Sequence, residues 1–205
     1  MKILLLADRE EKRLWGDWSQ STREQLSEVE LILSAGDLDP DYLEFLVTML
    51  NKPLVYVRGN HDGKYAERPP EGCIDADGRI VVAGGLRILG LGGSMRYKPG
   101  AANMYTEAEM RMRILAVSGR LVMGRFNGGG GFDILLTHAP CRGYGDMEDL
   151  PHRGFECFNG LLTVNKPKLH CFGHVHQEYG QFKRTIEHPS GTTLVNSCGY
   201  HIFDY

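Results

Sequence analysis

The chain lacks the usual chemical staples of a small protein. Its five cysteines, Cys73, Cys141, Cys157, Cys171 and Cys198, are odd in number, widely spaced and without a Cys-x-x-Cys pair. That argues against a disulfide framework or a structural zinc knuckle, and points to reduced, mostly buried thiols in a cytoplasmic protein. No run approaches the roughly 20 apolar residues of a membrane span. The apolar opening from Met1 to Ala7 is cut off at once by Asp8, Arg9, Glu10 and Glu11, so it reads as neither leader nor anchor. Positive charge is not in surplus either. With 23 Lys and Arg against 26 Asp and Glu, net −3, the chain is no broadly basic nucleic-acid binder, though a local patch is still allowed. There is no internal repeat. The only low-complexity stretch, Gly128 to Gly131, runs into a strand and lacks Gly-Lys-Ser/Thr, so it reads as a mobile loop rather than a phosphate cradle.

Glycine is what the chain has in excess, 26 of 205 residues. Such a surplus implies tight turns and close backbone approaches, which suits a strand-rich protein with functional loops. The length fits a single domain, 1–205, able to bury a core without a metal or disulfide to hold it.

The order of elements is legible from apolar runs and caps. Lys2 to Ala7 and Val29 to Ser34 are continuous apolar strands of the fully buried kind, with a short helix around Ser21 to Ser27 between them. Asp39-Pro40 is an N-cap followed by proline at the first helical position, opening a helix to about Leu50; Pro53 to Val57 is the next strand. This β-α-β-α-β order is that of a parallel sheet with crossover helices. Further on, Arg79 to Gly92 reads as a hairpin about Gly84-Gly85. Thr106-x-x-Glu109 is a capping box for a helix to about Gly119. Strands follow at Phe132 to Thr137 and Lys168 to Phe172, with a helix near Phe155 to Thr163 between them. The tail, Gly180 to Arg184 and Thr192 to Asn196, reads as a closing hairpin. Parallel units followed by hairpins predict an α/β fold of four layers, two packed mixed β-sheets forming a sandwich flanked by helices.

The chemistry lies where these strands end. The first ends in Asp8 and the second in Gly36-Asp37; the third delivers Gly59-Asn60-His61-Asp62. The strand from Phe132 delivers His138, and that from Lys168 delivers Gly173-His174-Val175-His176. Carboxyl ends of parallel strands share one sheet edge, where ligands bind. Alternate strand residues share a face, so His174 and His176 can share an ion. In type and order these blocks resemble the calcineurin-like metallophosphoesterases, whose pattern is D-x-H, G-D, G-N-H-[DE], a lone His after a strand, and G-H-x-H. Four of the five are intact, spanning residues 8 to 176. The size and the Thr-His-Ala-Pro segment resemble the small class III phosphodiesterase-like branch.

The resemblance implies two divalent ions, Mn²⁺ first, with Fe, Zn²⁺, Mg²⁺ or Ni²⁺ as alternatives. Asp37 would bridge them, Asp8 and His176 would hold the first, and Asn60, His138 and His174 the second. Two such ions, roughly 3.5–4 Å apart, clamp the attacking and leaving oxygens of a phosphoryl transfer and ease the deprotonation of water. His61 would protonate the leaving oxygen, oriented and kept protonated by Asp62. The departure is Glu10, where the family has histidine. Glutamate there either ligates through oxygen, favouring Mn²⁺ or Mg²⁺, or points to solvent and leaves the first ion weakly held.

Arg58 and Arg142 are candidates to hold a phosphate, with a surface salt bridge the alternative for each; Ser94 and Arg96, after a strand, are candidate pocket residues. His152, His170, His188 and His201 have no motif support and are expected to be structural. The expected activity is hydrolysis of a small phosphodiester, a cyclic nucleotide among them. The block after Gly36-Asp37 lacks the extension of the Ser/Thr phosphatases, and the acidic balance disfavours extended nucleic acid. The alternative is a protein-binding scaffold on the same fold, as in the retromer subunit that resembles it. Oligomeric state is not readable from the sequence.

Overall fold

Strand β1, Lys2–Ala7, buries every residue after Lys2 because it lies between two apolar layers, and its side chains divide by parity. Ile3, Leu5 and Ala7 face one core and Leu4 and Leu6 another. A computed structural model describes residues 1–16, 18–126, 131–180 and 182–205; Gly128 to Gly130 of the glycine run lie outside the described residues. After β1 come α1 (Gln20–Ser27), β2 (Val29–Ser34), α2 (Pro40–Leu50), β3 (Leu54–Tyr56) and β4 (Ile74–Asp75). The chain continues with β5 (Arg79–Ala83), β6 (Leu86–Leu91), the short pair β7 (Ser94–Met95) and β8 (Met104–Tyr105), α3 (Glu107–Phe126) and β9 (Ile134–Thr137). It closes with α4 (Glu156–Asn165), β10 (Leu169–Phe172), β11 (Thr185–Glu187), β12 (Thr193–Asn196) and β13 (Gly199–Asp204).

These strands form the expected sandwich. One sheet has the order β13-β1-β2-β3-β4 and the other β11-β12-β10-β9-β6-β5. The β1-β2-β3 and β6-β9-β10-β12 runs are parallel, while β13, β5 and β11 attach antiparallel at the edges, so both sheets are mixed. Between the sheets lie Leu5, Leu33 and Val55 from one side and Ile88, Leu136 and Val195 from the other. The first sheet's outer face is covered by Leu26 of α1 and by Tyr42, Leu43 and Leu46 of α2; the second's by Met110 of α3 and Phe158 and Leu162 of α4. Each such Leu, Ile or Phe contributes roughly 1.5–3 kcal/mol of burial, and three stacked cores make this the stable arrangement.

Local signals agree with it. Asp39 caps α2 by accepting from the Asp41 N–H at 3.0 Å, with Pro40 at the first position. Thr106 and Glu109 exchange hydrogen bonds in a capping box. Two expectations need correction. Helix α3 runs past Gly119 to Phe126, since one interior glycine costs only about 1 kcal/mol. The closing hairpin pairs β11 with β12, and Phe182 to Arg184 form no strand, while Gln181 of that expected segment lies outside the described residues; the edge strand β13 went unforeseen.

One polar cluster sits inside. The Thr137 hydroxyl donates to the Ala139 carbonyl at 2.6 Å, so its oxygen accepts from His170 Nε2 at 2.8 Å. His170 Nδ1 is left to accept from the Cys141 thiol. The ring is therefore neutral, and burial, helped by His188, lowers its pKa to about 3. An unfolded histidine titrates near 6.5, so below that pH the unfolded chain takes a proton that the native ring refuses, and stability falls with falling pH. This group is expected to cost about 2 kcal/mol between pH 7 and pH 5. Urea melts of wild type and His170→Gln should differ by that slope.

A candidate metal centre at the strand ends

The parallel strands of both sheets end on the same side of the sandwich, and the residues just after them turn inward under backbone constraint. Asp8, Asp37 and His174 have φ of 64°, 57° and 70°, unusual for residues with a side chain. Asp8 and His174 each sit in a three-residue turn, closed by Arg9 N–H to Ala7 carbonyl at 2.6 Å and Val175 N–H to Gly173 carbonyl at 2.8 Å. The two turns face each other, the His174 N–H donating to both Asp8 oxygens at 2.9 Å. Close approach depends on glycine: a Cβ on Gly173 would lie 2.6 Å from Asp8 Oδ2 and from Ala7 Cβ, and one on Gly59 would press on the Asp37 carboxylate. Gly173→Ala is expected to destabilise the protein by about 1–3 kcal/mol and weaken Mn²⁺ binding, as thermal melts and a Mn²⁺ titration would show.

The centre of the site is Asp37, His138 and His174, whose ligand atoms all lie within 4.8 Å of one another. His138 is fully buried. Its Nδ1 donates to the Ala35 carbonyl at 2.8 Å and its Nε2 to Asn60 Oδ1 at 2.9 Å, with Asp37 Oδ2 at 3.3 Å. Two donating nitrogens make the ring an imidazolium. Burial opposes that charge, but Asp37 outweighs it and lifts the pKa to about 9. Burial likewise works against the Asp37 charge, yet His138 and the His61 N–H, at 2.8 Å, hold its carboxyl down at about 2. His174 is pushed down to about 3 by burial and by the neighbouring His138 charge. Its Nε2 donates to the Pro151 carbonyl at 2.7 Å, leaving Nδ1 with the lone pair.

Around this trio a cleft of about 300 Å³ is lined by Asp8, Asp37, Asn60, His61, His174 and His176, together with Tyr97, Pro151, His152 and Tyr179. The Asp8 side chain is fully buried, and His176 Nε2 lies 3.7 Å from its Oδ1. The Asp8 carboxylate beside it raises the pKa of His176, against the opposing pull of burial. His61 is exposed at the cleft. Asp62 is bonded to the backbone of both ligand loops. Its Oδ2 accepts from the Asp37 and Gly59 amides, both at 2.7 Å, so it ties the two ligand loops together. No hydrogen bond joins it to the His61 ring among the described residues. Burial and then the Asp37 charge push its carboxyl up to about 6.

Several sequence candidates lie elsewhere. Glu10 is exposed and turned away: its Oε1 accepts from the Asp39 N–H at 3.2 Å, and it is not part of the cleft wall. Of its two readings, this placement is the one that leaves the first ion without Glu10. Arg58 pairs with Asp75 at 3.1 Å; Arg96 binds Glu109 and the Met104 carbonyl; Arg142 binds Asp146 and Glu148. The buried Ser94 donates to the Met95 carbonyl at 3.4 Å. None of these four is in the cleft wall. In the other direction, His152, expected to be structural, is in the wall, its Nδ1 2.6 Å from Asp149 Oδ2. It arrives on the loop between β9 and α4, where no sequence pattern marks it.

The donor set fits a divalent cation. One carboxylate oxygen and two imidazole nitrogens converge, backbone carbonyls fix which ring nitrogen faces inward, and the Nε2 proton of His138 stands where a cation would displace it. Comparison with known proteins agrees with this chemistry. Over 70 residues the chain is 42% identical to human Metallophosphoesterase domain-containing protein 1, a stretch covering 33% of this chain and 20% of the relative. A UPF0046 protein of Caenorhabditis elegans is 49% identical over 53 residues, 24% of this chain and 13% of the relative. The matched stretches thus span a fifth or less of these curated relatives. The crystal structure of TT1561 of Thermus thermophilus shares the fold, with a TM-score of 0.67 over 99% of this chain and 93% of that one, at 15% identity. The sequence profile described as Calcineurin-like phosphoesterase matches residues 14–178, four-fifths of the chain and every metal-type block after Asp8. By that match and by its fold, the chain belongs to the calcineurin-like phosphoesterase family.

Proposed function

We propose that the protein is a metal-dependent phosphodiesterase acting on a small phosphodiester, a cyclic nucleotide being one such compound. The observation that carries this reading is the convergence of Asp37, His174 and the buried His138 beside a cleft that also presents His61. Asp8, Asp37 and His176 would hold one divalent ion, and Asp37, Asn60, His138 and His174 a second, with Mn²⁺ the first choice for this mixed oxygen and nitrogen set. Bound there, such ions supply Lewis acidity toward phosphoryl oxygens and a nucleophile from water near neutral pH.

The chain's own groups do the rest. His61 is anchored by its backbone N–H to Asp37 and lines the cleft as an exposed residue, the place of a group that would give a proton to a leaving alkoxide. Asn60 is held by Tyr97 and His138 at 3.4 and 2.9 Å, which aims its amide oxygen inward. The Pro151 carbonyl keeps a proton on His174 Nε2 and presents Nδ1 to the site. The net charge of −3 favours a small ester over a long polyanion. Among the described residues no helix is long and apolar enough to cross a membrane, and a cytoplasmic setting suits the five free thiols.

A second reading rests on Glu10. With its carboxylate on the Asp39 amide, the first ion would have fewer donors, which favours a catalytically weak protein used as a scaffold. Hydrolysis of bis-p-nitrophenyl phosphate by metal-stripped protein, with and without Mn²⁺, separates the two. Mn²⁺-dependent release of nitrophenolate is expected. A folded protein that stays inert with Mn²⁺ would decide for the scaffold.

A further inference from the structure

A second, larger cavity of about 490 Å³ opens beside the cleft and shares two of its walls, His176 and Tyr179. The phosphodiesterase reading gives it no role. Its remaining walls include Tyr144, Met147, Phe182 and Ile186, and its size is that of a small-molecule site. We infer that this side cavity receives the ester arm of the substrate that is not released, and that the arm carries a planar ring, aryl or heteroaryl, rather than a short alkyl group.

Three observations lead there, resting on the phosphodiesterase reading above. An open-chain diester has two separate arms, and the cleft of about 300 Å³ must already take the phosphoryl group and its ions, so the second arm needs other space. The shared wall is a row of rings. Tyr179 stacks on His176 with centroids 5.2 Å apart and planes 13° from parallel, and the His152 ring lies 4.7 Å from Tyr179 on the cleft side. Flat faces of this kind, with Tyr144 and Phe182 elsewhere in the cavity wall, suit a ring, which gains both buried area and ring–ring contact.

The charges of the cavity are mostly spent. Asp146 accepts from the Gly143 and Gly154 amides and from Arg142, and Glu148 pairs with Arg142. A second phosphate would therefore meet carboxylates, with Lys183 as the cation not paired among the described residues. A long alkyl chain would have to lie against Asp146, Lys183 and the Gly143 and Gly145 backbone. An uncharged ring with a polar edge meets neither objection.

The test holds the leaving group constant and changes the other arm. Phenyl p-nitrophenyl phosphate and methyl p-nitrophenyl phosphate release the same chromophore. With Mn²⁺-loaded wild type, kcat/KM is expected to favour the phenyl ester by roughly tenfold or more, as burial of a ring implies. In Phe182→Ala, and separately in Tyr144→Ala, that ratio should fall toward one, mainly through a higher KM for the phenyl ester. Equal kcat/KM in wild type overturns the inference, and so does a phenyl preference that survives both variants, which would place the arm elsewhere. If wild type hydrolyses neither ester, the phosphodiesterase reading has failed instead. Calorimetric binding of phenyl phosphate against methyl phosphate then decides. A roughly tenfold preference lost in Phe182→Ala supports the cavity, and equal affinities overturn it.

Discussion

His61→Ala is expected to lower Mn²⁺-dependent diester hydrolysis by roughly 10²–10⁴-fold, the usual worth of a positioned general acid. The fold and metal content should stay intact. The reason lies in how the residue is attached. Its backbone N–H serves Asp37 at 2.8 Å, a contact that alanine keeps, while its side chain is exposed at the cleft. The loss should therefore fall on kcat rather than on Mn²⁺ binding, and metal analysis beside steady-state kinetics would show the split. A further check is the leaving group. A nitrophenolate needs little help from an acid, an alkoxide a great deal, so the variant should lose more on a dialkyl ester. Full activity of His61→Ala on a dialkyl ester would remove the residue from the proton path.

Asp62 gives the second large effect, and two substitutions should part company there. Both loop amides, of Asp37 and Gly59, donate to one oxygen, Oδ2. Asp62→Asn can place its amide oxygen at that point, keep both bonds and relieve the repulsion with Asp37, so stability and turnover should stay near wild type. Asp62→Ala leaves the buried Gly59 amide and the half-buried Asp37 amide unpaired and is expected to cost up to about 2–6 kcal/mol, at about 1–3 kcal/mol for each orphaned donor. Mn²⁺ binding should weaken with it, since the loops carrying Asp37 and Asn60 lose their tie. Chemical denaturation and Mn²⁺ titration of the pair would show this. If Asp62→Asn instead lost turnover as His61→Ala does, with its stability unchanged, the charge of Asp62 would be acting on His61 after all.

Much of this was legible in the chain because it is local. The buried run of β1, Pro40 after its Asp39 cap, and Thr106 three residues ahead of Glu109 each state their structure within a few positions. The order of metal-type residues was legible because strands project their ends to one edge. The destinations of long side chains were not. Arg58 reaches Asp75, Arg96 reaches Glu109 and Glu10 reaches the Asp39 amide, all partners chosen by tertiary packing. Nor did Gly199–Asp204 announce itself as a strand. It is half-buried at an edge, with Gly199 its one buried residue, so neither an apolar run nor an alternation marks it. His152 reaches the cleft on an irregular loop, and periodicity says nothing about such a segment.

The pairing of the Asp8 and His174 turns has a consequence for how the protein folds. The bond joins residues 166 positions apart, one from each sheet. Contacts of such separation form late, because the chain must first give up the entropy of closing a long loop. Neither sheet alone can assemble the centre, and partly folded chains would lack it. A cation that binds only the finished arrangement adds its binding free energy to the native state alone. Mn²⁺ should thus slow unfolding more than it speeds folding, and uptake of the ion during refolding would mark the moment when the two halves of the sandwich come into register.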